Sequence, residues 1–348
     1  MTRIASEWVS KHRLAETDNF MPCYSPLKGW KDNETGGIKF RRDGATEKME
    51  VACGQCLGCR LDYSRMWAMR IVHESSLYEI TGGNCFITLT YRDRLECDED
   101  QLRDKLHIPD DFGLHKDHFQ KFMKRLRKAF APQRIRFYMC GEYGDTCKHG
   151  LSMDTTGCPL CNVGRPHYHA CLFNCEFPDL VPYGSHNGEL RYTSPLLESI
   201  WKYGFVDVGE LNFESAAYVA RYVLKKVTGV QSHEHYMSYD YDGVVTFLTP
   251  EFTLMSRKPG IGRDWFEKYH TDVFPSDTVP VIGKEPIRGV PRYYEEIFKI
   301  SNPLTLEEIK AVRKKFHEEH KDDYRPERLM DKYKVKKAQV NLLRRDAQ

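Results

Sequence analysis

Three short segments in which β-favouring residues alternate with period 2 constrain the fold of this chain more than any other feature. They cover residues 85–91 (CFITLTY), 134–142 (RIRFYMCGE) and 166–173 (PHYHACLF), and each predicts a strand. Residues 115–130 place Phe, Met and Leu at helical steps, which predicts an amphipathic helix. Because strands and helices intermix without the regularity of βαβ units, the pattern favours an α+β fold over a doubly wound one.

The same periodicities predict elements around these segments. We expect helices over residues 60–80, 193–202 and 213–228, and a strand over residues 204–211. Asn212 is placed to cap the last of these helices. From about residue 230 the pattern weakens, and we expect the prolines of that region to lie in loops: Pro250, Pro259, Pro275, Pro280, Pro286 and Pro291.

The end of the chain returns to a charged, helical composition. Residues 332–345 carry six Lys or Arg and no acid, which predicts an accessory arm. We therefore divide the chain into an irregular, Cys-containing segment, a core that contains a Cys/His insert at 145–163, and a loop-rich, then charged helical extension. The three parts cover residues 1–60, 61–265 and 266–348.

The composition of the 348 residues excludes several classes of protein. With 41% hydrophobic and 29% charged residues, the chain is neither collagen-like nor of low complexity. No apolar run approaches the roughly 18 residues of a membrane span, and the first twenty residues lack the apolar stretch of a signal peptide. We expect a soluble, unexported protein with no membrane partner, in which clustered cysteines bind metal rather than form disulfides.

Charge is distributed unevenly, although the formal net charge is only +2. Residues 92–111 hold eight acidic and four basic side chains, for a net charge of −4, whereas residues 112–137 hold eight basic and one acidic, for +7. Such a basic stretch predicts a polyanionic partner. On the predicted helix 115–130, four cations lie off the apolar stripe and could contact phosphates: Lys121, Lys124, Arg125 and Lys128.

His167 and His169 are two residues apart on a predicted strand, so both imidazoles leave the same face of the sheet. Glu142 ends another predicted strand, in the sequence YMCGEYG, where glycines allow close approach of the backbone. Two imidazoles and one carboxylate can hold a divalent ion and leave positions open for water or substrate. The alternative is that two of the 14 histidines share a sheet face by chance.

The sequence AAYVARYVLKK indicates a second candidate site. Tyr218, Arg221, Tyr222 and Lys225 share one helix face, while alanines and valines form the opposite, apolar stripe. A neutral tyrosine, with a pKa of about 10, is a poor nucleophile, and a neighbouring cation or metal would stabilise its phenolate. The alternative is that both tyrosines are amphipathic residues at the edge of a core.

The cysteines form two groups with the spacing of zinc ligands. The first comprises Cys53, Cys56 and Cys59, with Cys23 as a possible fourth ligand. The second consists of a C-x-H and a C-x-x-C pair: Cys147, His149, Cys158 and Cys161. Turn residues in the second group fit a hairpin closed by a metal ion. The alternative for both groups is reduced, free thiols.

The order of these motifs resembles a known family. CFITLTY, GEYG, GRPHYHACLF and AAYVARYVLKK together resemble the HUH endonucleases, and most closely the replication initiators of the gokushovirus-type microviruses, which are small single-stranded DNA bacteriophages. CGQCLGCRLDYSRMWAMR and LMSRKPGIG also resemble segments of that group, so the likeness covers roughly residues 20–265. The tyrosines follow the His pair, as in replication initiators, whereas in relaxases they precede it.

The resemblance implies a central antiparallel sheet flanked by helices and a set of catalytic residues. His167, His169 and Glu142 would hold Mg²⁺ or Mn²⁺ at a scissile phosphate. Tyr218 or Tyr222, beside Lys225, would attack the phosphate and leave a 5′-phosphotyrosyl enzyme. Three further residues would contact DNA: Thr88, Thr90 and Arg221.

It also implies a role and partners. The protein would nick and rejoin single-stranded origin DNA for rolling-circle replication of a phage genome, together with host helicase and polymerase in the bacterial cytoplasm. Two alternatives remain at this point. A two-His-one-carboxylate iron oxygenase leaves the tyrosine face and the basic stretch without a role. A non-catalytic zinc protein that binds single-stranded nucleic acid leaves Glu142 and the His pair without one.

Overall fold

A computed structural model describes most of the chain: residues 22–32, 35, 37–41, 47–93, 107–153, 157–158, 161–186, 189–221, 226–239 and 243–345, without the side chains of 341–345. The chain forms two compact units. One is Trp67–Lys268, and the other joins Met1–Met66 to Tyr269–Gln348.

Strands and helices follow one another irregularly. In chain order the strands are β1 (Leu27–Lys31), β2 (Ile38–Lys39), β3 (Glu47–Val51), β4 (Asn84–Thr90), β5 (Arg136–Tyr143), β6 (Pro166–Phe173), β7 (Val181–His186), β8 (Glu189–Thr193), β9 (Val206–Gly209), β10 (Met237–Tyr239), β11 (Val245–Phe247), β12 (Phe252–Met255), β13 (Thr278–Val281) and β14 (Lys284–Arg288). The α-helices are α1 (Leu57–Ser76), α2 (Lys116–Ala129), α3 (Pro195–Trp201), α4 (Phe213–Arg221), α5 (Gln231–His235), α6 (Arg263–Val273), α7 (Arg292–Ser301), α8 (Pro303–Glu319) and α9 (Pro326–Arg345). None of the described helices has the length and apolar composition needed to cross a membrane.

A seven-stranded antiparallel sheet lies at the centre of the unit Trp67–Lys268. Its strand order is β12-β5-β6-β4-β9-β8-β7, so β6 lies between β5 and β4. The strands predicted over 85–91, 134–142 and 166–173 are confirmed as β4, β5 and β6. The expected α+β fold with a central antiparallel sheet flanked by helices is therefore confirmed.

One face of this sheet, here called the apolar face, carries Tyr168 and Leu172, both fully buried. The helices α2 and α3 cover it. The ring of Phe119 on α2 lies 6.0 Å from that of Tyr168, and the ring of Phe122 lies 6.0 Å from that of Trp201 on α3. The amphipathic helix predicted over 115–130 is confirmed, and its aromatic stripe forms the core on this side.

The opposite face, here called the histidine face, carries His167 and His169, because side chains alternate along β6. Two helices contact this face. On α1, the ring of Trp67 lies 4.8 Å from that of Tyr138 on β5. On α4, the ring of Tyr218 lies 5.2 Å from that of His169.

Other predicted elements differ from the structure mainly at their ends. The helix expected over 60–80 is α1, which ends at Ser76, and residues beyond it form a turn. The expected strand 204–211 is the shorter β9. The helix expected over 213–228 is described as α4 up to Arg221; residues 222–225 lie outside the described residues, and residues 226–228 are not helical.

The expectation that the later prolines lie in loops is wrong for Pro280 and Pro286. They lie in β13 and β14, which pair only with each other among the described strands. Such a sheet consists of edge strands, where a residue that lacks a backbone N–H is tolerated. The register shifts between Val279 and Val281, on either side of Pro280.

The second unit contains a small sheet of order β2-β1-β3 and the helices α7 to α9. The charged helices expected in the last forty residues are confirmed as the end of α8 and as α9. Arg313 on α8 forms salt bridges with Asp277 and Glu295. The ring of Tyr333 on α9 packs edge-on against Tyr24, at a centroid distance of 5.6 Å.

Candidate metal centre and tyrosine helix

The register of three central strands brings the predicted metal ligands together. Glu142 on β5 is opposite His167 on β6, and Thr88 on β4 is opposite His169. Directly opposed residues in an antiparallel pair share a face and lie about 5 Å apart. The carboxylate, both imidazoles and the threonine therefore converge on the histidine face.

The ligand atoms lie within coordination range of one point. Oε1 of Glu142 is 2.9 Å from Nε2 of His167 and 3.6 Å from Nε2 of His169, and the two Nε2 atoms are 3.0 Å apart. Glu142 and His169 are buried, whereas His167 is half-buried. We call these three residues the Glu-His-His cluster.

Hydrogen bonds at the far side of each ring orient the imidazoles. Nδ1 of His167 donates to the backbone carbonyl of Arg165 at 3.1 Å, and Nδ1 of His169 is hydrogen-bonded to Oγ1 of Thr88 at 3.0 Å. Both rings therefore direct Nε2 towards Glu142. Partners of this kind fix the tautomer and the ring orientation of metal-binding histidines.

Glycine is required on both sides of Glu142, as the sequence predicted. A Cβ atom on Gly144 would lie 3.2 Å from Cε1 of His167. A Cβ atom on Gly141 would lie 3.2 Å from the ring of Tyr168, on the apolar face. Both distances are tighter than ordinary van der Waals contact, so a side chain at either position would displace the strand that carries the histidines.

The donor set of the Glu-His-His cluster fits a divalent cation. Burial raises the pKa of the Glu142 carboxyl, but hydrogen bonds and charge interactions with His167 and His169 outweigh it and lower that pKa to about 2. The carboxylate is therefore ionised at neutral pH. One oxygen and two nitrogen donors occupy only part of an octahedral coordination sphere, which leaves positions for water or a phosphate oxygen.

The tyrosine helix α4 is anchored at its first turn and reaches over this cluster. The side chain of Asn212 accepts a hydrogen bond from the backbone N–H of Ser215, and Oγ of Ser215 accepts one from the N–H of Asn212. This reciprocal cap confirms Asn212 as the predicted N-cap. The ring of Tyr218 packs edge-on against His169, and 40% of the residue is exposed.

The remaining residues of the predicted tyrosine face are placed only in part. Arg221 is exposed at the end of α4, one turn from Tyr218. Tyr222 and Lys225 lie outside the described residues. Thr90 is opposite His167 in the β4–β6 register, so it lies on the same sheet face as the cluster.

The cationic helix α2 lies on the apolar face, away from the Glu-His-His cluster. Lys121 is exposed and forms a salt bridge with Asp117. The guanidinium of Arg125 donates to the carbonyls of Ile200 and Trp201, at 2.7 and 2.9 Å, at the end of α3. A phosphate would have to compete with these two acceptors for Arg125. Two of the predicted phosphate contacts, Lys124 and Lys128, are exposed.

The first cysteine group meets in the second unit. The Sγ atoms of Cys23 and Cys56 are 3.8 Å apart, and those of Cys53 and Cys59 lie with them inside a sphere of possible metal ligands. Tetrahedral zinc, with Zn–S bonds of about 2.3 Å, holds two sulfurs about 3.8 Å apart. Backbone N–H groups of Tyr24 and Cys53 donate to these sulfurs, which stabilises thiolate charge.

The second group meets at the turn between β5 and β6. The Sγ atoms of Cys158 and Cys161 lie 3.4 and 3.3 Å from Nδ1 of His149, and Cys147 completes the set. Zinc bonds of about 2.3 Å to sulfur and 2.0 Å to nitrogen place such atoms about 3.5 Å apart. Both groups of four ligands predicted from spacing are thus brought together.

Two features of the unit Trp67–Lys268 were missed in the sequence. Asp207 on β9 is buried opposite Thr88 and accepts a hydrogen bond from Tyr183, and its VDVG context carries no signal of this. A third group of possible ligands, His115, Asp117 and His118, lies at the start of α2. Its H-x-D-H spacing is visible in the sequence.

Comparison with known proteins gives relatives of one kind. A family model for the phage replication-associated protein ORF2 and its counterparts matches residues 84–151 and 158–227. Replication-associated protein VP4 of Bdellovibrio phage phiMH2K is 29% identical over 290 residues, which cover 81% of this chain and 79% of that protein. Replication-associated protein ORF2 of Spiroplasma virus 4 is 32% identical over 315 residues, or 85% of this chain and 86% of that protein.

A third relative is matched over a smaller part of its length. Replication-associated protein ORF4 of Chlamydia phage 1 is 28% identical over 257 residues, which cover 72% of this chain and 53% of that protein. No solved structure matches the chain significantly. The region matched by the family model runs from β4 to just beyond α4, so it contains the Glu-His-His cluster and Tyr218.

Proposed function

Because the chain belongs to the family of phage replication-associated proteins, the microvirus-type replication initiators, we propose that it nicks and rejoins single-stranded origin DNA as an HUH endonuclease. The observation that carries the proposal is the contact between Tyr218 and His169. A half-exposed phenol beside a buried set of divalent-cation ligands is the combination that phosphotyrosyl transfer requires.

His167, His169 and Glu142 hold the catalytic ion, Mg²⁺ or Mn²⁺. The chemistry that such an ion supplies is polarisation of a phosphate oxygen. Thr88 and the Arg165 carbonyl keep the Nε2 lone pairs directed at the ion. The ionised carboxylate of Glu142 supplies negative charge that favours a hard divalent cation.

Tyr218, or Tyr222 on the same predicted helix face, attacks the scissile phosphorus through its phenolic oxygen. The new O–P bond forms as the bond to the 3′ oxygen breaks, the phenol loses its proton and the departing 3′ oxygen gains one. The 5′ phosphate remains on the enzyme, and the free 3′-hydroxyl serves a host polymerase. The covalent bond conserves the phosphodiester energy, so attack by a 3′-hydroxyl later rejoins the strand.

Two tyrosines allow two successive cuts during rolling-circle replication. While one holds the old 5′ end, the other attacks the regenerated origin. Lys225 follows one turn after Arg221, and both cations extend the same predicted helix face towards the phosphate. The reaction takes place in the cytoplasm of the bacterial host, with host helicase opening the duplex.

Both groups of cysteine ligands hold structural zinc under this proposal. Their sulfur and nitrogen spacings support four-coordinate sites without an open position. The iron-oxygenase and non-catalytic alternatives are weaker, because neither gives a role to a tyrosine ring packed on His169.

The experiment is to incubate the protein with labelled, origin-bearing single-stranded DNA and Mg²⁺ or Mn²⁺, and to measure nicking. We expect His167→Ala and His169→Ala to abolish nicking while DNA binding, measured by fluorescence anisotropy, is largely kept. Cleavage at the original rate in EDTA would contradict the metal assignment.

A further inference from the structure

A cleft at the other end of the sheet concentrates cations that the proposed reaction does not use. Its volume is about 250 Å³, below the range of pockets for drug-sized ligands. It lies where the start of β5 and the residue before it meet the segment that follows β12. Its cationic lining residues are Arg127, Arg134, Arg136, Arg257 and Lys258.

Arg136 provides a buried donor group at this cleft. The residue is 3% exposed, and its Nη1 has no hydrogen-bond partner among the described residues. Its other donors are used: Nε binds Glu74, and Nη2 donates to the carbonyl of Pro259 at 3.0 Å. A buried guanidinium nitrogen without an acceptor is costly, and an anion in the cleft would supply that acceptor.

The remaining charges of the cleft favour an anion as well. Glu74, the acid that contacts Arg136, also accepts a hydrogen bond from the backbone N–H of Gly262, so its charge is already compensated. Arg134, Arg257 and Lys258 are exposed at the rim. Arg134 donates to the backbone carbonyl of Lys258, which ties the two sides of the cleft together.

The cleft and the Glu-His-His cluster are joined by continuous strands. Arg136 and Glu142 are six residues apart on β5, which corresponds to about 20 Å at a rise of about 3.3 Å per residue. The edge strand β12 runs alongside, from Phe252 opposite Gly141 to Met255 opposite Tyr138. At about 3.4 Å per nucleotide of one strand, 20 Å corresponds to about six nucleotides, and fewer in an extended strand.

We propose that this cleft binds a backbone phosphate of the DNA strand whose scissile phosphate lies at the Glu-His-His cluster. The inference rests on the proposed function for its substrate, and it adds a second, non-catalytic contact that fixes how the strand leaves the active site. The contact is independent of base identity, because guanidinium and ammonium groups bind phosphate oxygens.

The test compares two origin-derived single strands. The short strand reaches fewer than about six nucleotides from the nick on either side, and the long strand reaches about twice as far on both sides. The variant is Arg257→Gln with Lys258→Gln. Both side chains are exposed, and the carbonyl of Lys258 that accepts from Arg134 belongs to the backbone, so the fold is retained. The matched control is Lys299→Gln with Lys310→Gln, which removes equal charge from exposed positions of the other unit.

We expect the wild-type protein and the control to bind the long strand more tightly than the short one, and the cleft variant to lose that difference. For the long strand, the slope of log affinity against log salt should fall by about 0.7 in the cleft variant, the value for one phosphate contact on single-stranded DNA. Nicking of the short strand should be unchanged in the cleft variant.

The proposal is overturned if the cleft variant keeps the full preference for the long strand, or if the control loses it equally. These outcomes are separate from the failure of the proposed function. If the wild-type protein does not nick the short strand, the proposed function fails, while the affinity comparison still decides whether the cleft binds the strand.

Discussion

Thr88 holds His169 in place for coordination, because its hydroxyl is hydrogen-bonded to Nδ1 of that ring at 3.0 Å. Removal of the hydroxyl in Thr88→Val should lower metal affinity by about 10-fold to 100-fold, as is usual for partners of metal-binding histidines. Nicking should then require more Mn²⁺ and recover at saturation. A titration of nicking rate against Mn²⁺ concentration measures this.

Thr90→Val is the matched control for that prediction. Thr90 lies on the same strand and the same sheet face, opposite His167, and Nδ1 of His167 is bound to the Arg165 carbonyl instead. We expect its metal requirement to equal that of the wild-type protein. The same Mn²⁺ requirement in Thr88→Val would mean that Thr88 does not position His169.

Tyr218 has two separable properties, its ring and its hydroxyl. The ring packs against His169 and Phe86, and phenylalanine keeps both contacts. We expect Tyr218→Phe and Tyr222→Phe each to cleave a short oligonucleotide in part but to fail at release of a closed circle, because the second cut lacks its nucleophile. The double variant should form no covalent adduct.

These variants are measured by cleavage of a labelled oligonucleotide and by circle formation from a longer template. Full activity of either single variant in both assays would exclude an exchange between two tyrosines, although a mechanism with one tyrosine could survive. Thermal unfolding of each variant serves as the control for folding.

At the scale of elements, local periodicity predicted the strands and helices that carry the site. Residues 166–173 form a strand with the predicted bounds, because every second side chain packs into the core on one face. The strand order is set by long-range pairing, which no local pattern contains. The role of Thr88 depends on its place opposite His169 and was therefore not predictable.

Helical spacing identifies which residues leave the apolar stripe of α2, but not what they meet. Arg125 was expected to be available to phosphate, and the structure gives it two carbonyl acceptors at the end of α3. In the same way, Pro280 indicated a loop, because a strand without neighbours on either side is not visible in local composition.

The hairpin that carries Cys147, His149, Cys158 and Cys161 has little core of its own, so we expect zinc to hold it together. Cys158→Ser should remove about one zinc ion per chain from a total of up to two that survives dialysis, since three ligands bind zinc more weakly than four. Metal analysis by mass spectrometry measures the loss.

Cys171→Ser is a control for that experiment, because Cys171 is fully buried in the sheet and belongs to neither cysteine group. It should retain the full zinc content. Retention of full zinc content by Cys158→Ser would exclude the second site.

At the scale of the whole molecule, the two proposed DNA contacts lie in one compact unit. The Glu-His-His cluster, Tyr218 and the cationic cleft all belong to Trp67–Lys268, and the region matched by the family model falls inside it. The net charge of +2 conceals this arrangement, because the basic stretch 112–137 is divided between the exposed face of α2 and the cleft.

The central claim is that a tyrosine of the segment 213–228 becomes covalently bound to DNA. The most direct measurement captures the protein on origin-bearing single-stranded DNA with Mn²⁺, digests both polymers and locates the modified peptide by mass spectrometry. We predict a nucleotide joined through its 5′ phosphate to Tyr218 or Tyr222. A nucleotide on any residue outside that segment, or no covalent adduct under conditions in which the DNA is cleaved, would contradict the account.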